Sequence, residues 1–200
     1  MEPFRRIVGT MAPLNRLNVD TDQILPKQFL KRVERSGFGA YLFYDWAHQP
    51  DGTPEPDFVL NKPEFASAVV LVTGSNFGCG SSREHAVWAL VDRGFRAIIA
   101  PSFGDIFRNN CHKVGLLPIV SSEADVGRFL DLAARSHSLV TIDLERQICR
   151  ADSLVVSFEI DPFVKDCLLK GLDEIARIEA HEPEIAEYEN RRPAWLPTSS

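Results

Sequence analysis

Residues Ala68–Asp92 read A-V-V-L-V-T-G-S-N-F-G-C-G-S-S-R-E-H-A-V-W-A-L-V-D. Ala68–Thr73 is apolar and rich in β-branched residues, without polar alternation, which predicts a strand covered on both faces. Gly74–Gly80 is punctuated by glycine and predicts a turn, with Gly78 and Gly80 free to adopt positive φ. Ser82–Asp92 predicts a helix, with Ala86, Ala89, Leu90 and Val91 on its buried side and Gly94 as its stop. One of the two serines before it is a natural N-cap, and Glu84 falls in its first turn. Strand, glycine turn and helix in this order define the start of a βαβ unit.

The same alternation continues downstream. Arg96–Ala100 predicts a second strand ended by Pro101, Phe103–Val114 a helix closed by Gly115, and Leu116–Val120 a third strand. Asp125–Arg135 is helical in pattern, and Leu139–Leu144 opens a late β section continued by Leu154–Ile160. This repetition argues for an α/β fold with parallel βαβ units. Upstream, Ile7–Leu17 reads as a strand and turn, and Pro26–Val33 as a short helix or mobile loop. Asp45–Asp57 carries three prolines and a glycine, so an exposed connection is expected. Pro162–Arg191 predicts two or three amphipathic helices. Without internal repeats or a linker, residues 1–200 are expected to form one domain, with about 192–200 as a flexible tail.

Composition narrows the functional classes. Apolar residues make up 44% and charged residues 25% of the 200, as in globular proteins. A net charge of −6 disfavours a nucleic-acid partner, which wants a basic face. No apolar run approaches the roughly 20 residues that span a bilayer, and no hydrophobic region follows Arg5-Arg6 to make a signal peptide. The expected setting is the cytoplasm, away from membranes. The four cysteines, Cys79, Cys111, Cys149 and Cys167, form no C-x-x-C pair. They read as free thiols, and no metal is expected on this chain.

The chemistry concentrates in Ser75–His85. Free N–H groups of the turn and the helix dipole make an anion site at the end of the strand. Open α/β sheets tend to bind ligands there. Arg83 adds a planar fork suited to a carboxylate. In a dry site, N–H donors and a guanidinium stabilise a serine alkoxide, which then removes a proton from carbon next to a carboxylate. Glycine turns capped by serine also occur with no function, and local chemistry leaves the two readings balanced. The turn lacks the lysine of a nucleotide P-loop.

The strings G-C-G-S-S-R-E-H-A at Gly78–Ala86 and N-V-D-T-D-Q-I-L-P at Asn18–Pro26 go further. With P-K-Q-F-L-K at Pro26–Lys31, G-F-G-A-Y-L-F-Y-D-W at Gly37–Trp46 and A-P-S-F-G-D-I-F at Ala100–Phe107, they run nearly end to end. P-D-F-V-L-N at Pro56–Asn61, G-L-L-P-I at Gly115–Ile119 and G-L-D-E-I at Gly171–Ile175 extend the match. The chain resembles the swivelling β/β/α domain of the aconitase superfamily, most closely the bacterial 3-isopropylmalate dehydratase small-subunit family.

The resemblance implies a two-subunit hydro-lyase of leucine biosynthesis, a heterodimer inactive as separate chains. It implies a large-subunit partner carrying a [4Fe–4S] cluster whose open iron acts as a Lewis acid on the departing hydroxyl. The substrate would be a small hydroxyacid, 2-isopropylmalate, isomerised through isopropylmaleate. By resemblance Ser81 is the base and Arg83 the carboxylate clamp, with Ser82 binding the same carboxylate. Asp22 orients the site, and His85 supports it or packs in the core. Lys31 falls at a loop position that selects the substrate's variable group, as a contact or as a solvent-exposed gate. Asp20 reads as turn chemistry. Cys111 and His112 stand where relatives more often have serine and phenylalanine, and Val87 stands for a proline. A related hydro-lyase acting on 2-methylmalate, dimethylmalate or homoaconitate is the near alternative. A non-catalytic anion- or RNA-binding module is the distant one.

Overall fold

The structure, a computed structural model, describes residues 1–31, 36–135, 137–173, 176 and 182–191. Its centre is a seven-stranded sheet in the order β4-β3-β2-β1-β5-β6-β7. Strands β1 (Arg6–Leu14), β2 (Val70–Thr73), β3 (Ala97–Ala100) and β4 (Leu117–Val120) are parallel. Strands β5 (Leu139–Asp143), β6 (Ile148–Ala151) and β7 (Leu154–Ser157) form an antiparallel meander on the other side of β1.

Side-chain alternation explains why β2 and β3 look uniformly apolar. Leu71, Ile98 and Ala100 enter one core, whereas Val70, Val72, Ala97 and Ile99 enter another. Both faces are dry, so neither strand has a polar side. The first core is closed by α1 (Thr21–Ile24), α2 (Tyr44–Ala47), α3 (Glu84–Asp92) and α4 (Asp105–Val114). The second is closed by α5 (Glu123–Ala133) and α6 (Pro162–Lys170). Crossovers that step from β2 to β3 to β4 in one direction must leave their helices on one face if all are right-handed. Helix α5 then returns over the opposite face, touching β1, β2 and β3, to deliver the chain to β5.

Several expectations need correction. The parallel strand–helix rhythm ends at β4; β5 runs antiparallel to β1. Strand β6 escapes the hydropathy pattern because Arg150 is exposed between Cys149 and Ala151. Its turns use left-handed backbone at Gln147 and Asp152, and Gln147 is a residue type that gives little turn signal. Of the stretch at Pro26–Val33, Lys27–Phe29 is a 3₁₀ turn, and Val33 lies outside the described residues. The Asp45–Asp57 connection starts inside α2 and buries Ala47. Within Pro162–Arg191 the helices seen are α6 and Glu182–Arg191. The expected 192–200 tail falls outside the description.

Candidate active site

The Gly74–Arg83 segment is laced between two neighbouring loops at the carboxyl end of β2. On one side the Asn18 N–H donates to the Ser75 carbonyl (2.9 Å) and the Gly78 N–H to the Val19 carbonyl (2.7 Å). The Thr21 N–H donates to the Cys79 carbonyl (3.0 Å). On the other side the Phe77 N–H donates to the Ser102 carbonyl (3.1 Å) and the Gly104 N–H to the Phe77 carbonyl (2.9 Å). Gly78 has φ of 73°, and a Cβ there would fall 2.1 Å from the Phe107 ring of α4. Glycine is required twice over, for the backbone angle and for the ring.

Asp20 caps α1. Its carboxylate accepts the Gln23 N–H (2.8 Å) while the Gln23 side chain accepts the Asp20 N–H (3.0 Å), a reciprocal capping box. That cap aims the next two residues at the turn. The buried Thr21 donates its hydroxyl to the Ser81 carbonyl (2.8 Å). Asp22, in the first turn of α1, forms an ion pair with Arg83. The D-T-D triplet therefore gives one residue to its own helix and two to holding the facing turn.

Ser81 and Ser82 project outward. Both are exposed, and among the described residues neither hydroxyl has a hydrogen-bond partner. The N-cap of α3 is Arg83, in extended conformation and without a side-chain capping bond. Neither serine caps the helix, contrary to expectation, because the chain stays non-helical through Arg83. The consequence favours ligand binding, since the first-turn N–H groups of a helix have no intrahelical partner. Arg83 itself is largely buried, and a terminal nitrogen of its fork pairs with Asp22, which restrains the guanidinium before any anion arrives.

His85 packs its ring edge-on against Phe38 (5.3 Å) and beside Trp88 (4.6 Å), which makes it part of the packing under the turn. Lys31 is exposed and borders 32–35, outside the described residues. Cys79 sits in the turn, but burial and the neighbouring Asp20 carboxylate raise its pKa, so it is a poor nucleophile at neutral pH. Two contributors were not singled out from sequence, Thr21 and Phe107. Each lay inside a quoted motif, but only the fold shows that they seat the turn.

A cleft of about 630 Å³ lies at the opposite end of α3, beside Gly37, His48, Asn61, Asp92 and Arg93. Its polar groups are engaged in the fold. Arg93 donates to the Ala66 (2.8 Å) and Leu60 (3.3 Å) carbonyls, and Asp92 accepts the Phe38 N–H (2.8 Å). The serine turn, by contrast, lies open on the surface.

The cysteines do not converge. Cys111 is buried in the first core and Cys149 in the second, on opposite faces of the sheet. Burial pushes Cys149 up to about 12 and Cys111 well above the usual thiol value. This donor set does not fit an iron–sulfur cluster, which needs convergent thiolates.

His112, on α4, carries a pH consequence. Burial, aided by Arg108, lowers its pKa from 6.5 to about 4, against the opposing pull of Asp161. Between those values the unfolded chain binds a proton that the folded chain refuses, so stability falls as pH drops through that window. Allowing for partial screening, the loss is roughly 1–3 kcal/mol. Replacing His112 with Phe should flatten the dependence of Tm on pH between 6.5 and 4, as followed by circular dichroism.

A parallel four-stranded half with a serine-bearing turn at the end of β2 and an antiparallel meander on its flank define an aconitase-type swivelling domain. The family model for the aconitase C-terminal domain matches residues 1–124. A 3-isopropylmalate dehydratase small subunit of Anoxybacillus flavithermus is 57% identical, covering 96% of this chain and 100% of that protein. One of Bacillus subtilis is 48% identical, covering 98% of this chain and 99% of that protein. The crystal structure of 3-isopropylmalate dehydratase from Methanocaldococcus jannaschii superposes with a TM-score of 0.68 at 25% identity, covering 92% and 99% of the two chains. The chain belongs to the aconitase C-terminal-domain family and, within it, to the 3-isopropylmalate dehydratase small subunits.

Proposed function

We propose that this chain is the small subunit of a 3-isopropylmalate dehydratase, a hydro-lyase that interconverts 2- and 3-isopropylmalate through isopropylmaleate in leucine biosynthesis. Full-length similarity to proteins of that name supports the reading. The observation that carries it is the proximity in one turn of an exposed Ser81 hydroxyl and an Arg83 restrained by Asp22, beside a helix N-terminus without a side-chain cap.

In this reading Arg83, the Ser82 hydroxyl and the first-turn N–H groups of α3 bind one substrate carboxylate. Ser81, its alkoxide stabilised by the same positive field, takes the proton from the carbon that becomes alkenic. The electron pair of that C–H bond forms the double bond as hydroxide leaves the adjacent carbon. Hydration reverses the sequence with the positions exchanged, and Ser81 returns the proton. Asp22 keeps Arg83 in place, and His85 packs beneath. Lys31 borders the substrate's variable group. Departure of the hydroxyl falls to the large subunit, to which the family resemblance assigns a [4Fe–4S] cluster. The setting is the cytoplasm; none of the described helices is long and apolar enough to cross a membrane.

An exposed serine turn is half a site, so the chain alone should be inert. The test is anaerobic assembly with a cluster-bearing large subunit, followed by assay on 2-isopropylmalate, 2-methylmalate, dimethylmalate and homoaconitate. Turnover of isopropylmalate above the others is expected. Good rates on another acid with none on isopropylmalate would move the chain to a neighbouring hydro-lyase.

A further inference from the structure

Strands β4 and β7 are the outermost of the seven, yet residues at the ends of both line one cleft of about 530 Å³. The β4 side gives Val120, Ser121 and Ser122, the β7 side residues 156–159, and α4 gives Arg108. The fold leaves two positive or donating groups here without a use. Arg108 is partly buried, and among the described residues its guanidinium makes no hydrogen bond or ion pair. The Ser121 hydroxyl is buried and has no partner, although the Ser121 N–H, on the Ala100 carbonyl (3.1 Å), fixes the residue in place. A buried hydroxyl in that state is unfavourable, and an anion that brings an acceptor removes the penalty. Two carboxylates also line the cleft. Asp125 is engaged, accepting from the Ser122 hydroxyl (2.8 Å) and from Arg128 (3.3 Å). Glu159 is exposed and unpaired among the described residues, so its charge and that of Arg108 stand apart. Val120 and Val156, with the buried Phe158, supply apolar wall.

We propose that this cleft binds a free α-amino acid with a branched apolar side chain, its carboxylate on Arg108 and the Ser121 hydroxyl and its ammonium on Glu159. The planar fork of Arg108 suits a carboxylate, and the Ser121 hydroxyl has one donor to add. Glu159 answers the ammonium and discriminates against a plain carboxylic acid, whose charge it repels. The two valines and Phe158 take the branched side chain, as small-molecule sites pair a few polar groups with apolar wall. Neither the serine turn nor its chemistry enters this assignment, so the two stand or fall separately.

The test is isothermal titration of the full chain with L-leucine as the probe, beside 4-methylpentanoate, which lacks the ammonium, and glycine, which lacks the side chain. L-Leucine should bind one to one with a Kd of about 10 μM to 1 mM, the range open to so small a ligand. Both comparison compounds should bind at least about 10-fold more weakly. Arg108→Met should weaken L-leucine about 10-fold or more, the scale of one charge-assisted contact. Ser121→Ala should weaken it several-fold without lowering Tm, because the free chain loses no hydrogen bond, and this keeps the test open if Arg108→Met folds poorly. Glu159→Gln should weaken L-leucine and leave 4-methylpentanoate unaffected or tighter. Absence of binding at about 10 mM L-leucine overturns the proposal, since that lies well above the expected Kd. So does an affinity unchanged in both Arg108→Met and Ser121→Ala. Equal affinities for L-leucine and 4-methylpentanoate, or for L-leucine and glycine, overturn the amino-acid assignment.

Discussion

Replacing Ser81 with Ala in the assembled enzyme should lower kcat by roughly 10²–10⁴-fold while KM and assembly stay close to wild type. The side chain is exposed and makes no hydrogen bond among the described residues, so its loss leaves no buried group unpaired. The turn is held by bonds to its backbone, above all that of the Thr21 hydroxyl to the Ser81 carbonyl, and these survive the substitution. Arg83 keeps its pair with Asp22. What disappears is the oxygen that carries the proton. Following the ultraviolet absorbance of the conjugated alkene isopropylmaleate, with Tm measured on the same samples, separates lost chemistry from lost structure. Near-wild-type rates would remove Ser81 from the role of base.

Gly78→Ala should be damaging for the opposite reason. At φ of 73° an alanine enters left-handed backbone, at a cost of about 1–2 kcal/mol. Its Cβ also meets three atoms of the Phe107 ring at 2.1–2.6 Å. Either the ring leaves the core around Phe77 and Phe103, or the turn backs away from Val19, whose carbonyl holds Gly78 at 2.7 Å. Overpacking of this kind costs typically about 1–3 kcal/mol. The total of roughly 2–5 kcal/mol corresponds to a fall in Tm of about 5–15 °C for a chain of this size. Activity should fall with it, because Ser81 rides on the displaced turn. Adding Phe107→Leu should recover part of the Tm by removing the clash but not the backbone strain. A Tm unchanged in Gly78→Ala would contradict the seating of the turn on α4.

Much of this was legible before any coordinates. The parallel half announced itself because strands buried on two faces lack a polar side, and β2 (apolar up to its last residue, Thr73) and β3 fit that pattern. Glycine closed α4 at Gly115, with left-handed backbone, as its place after Val114 suggests. The antiparallel half was harder. One exposed arginine in β6 breaks the apolar run, and pairing direction is a long-range property that no local pattern encodes. At the site, Ser81, Arg83 and Asp22 were visible as chemistry plus family resemblance. The pairing of Asp22 with Arg83 was not, since 61 positions of chain separate them and only the β1–β2 packing brings them together.

A competition experiment tests the half-site claim most directly. The large subunit is held at fixed concentration with wild-type small subunit, and alkene absorbance is followed as Ser81→Ala chain is added in excess. If the turn supplies chemistry to a site completed by the partner, the variant docks normally and the rate falls toward zero as it displaces wild type. A rate that holds or rises as the variant accumulates would contradict it.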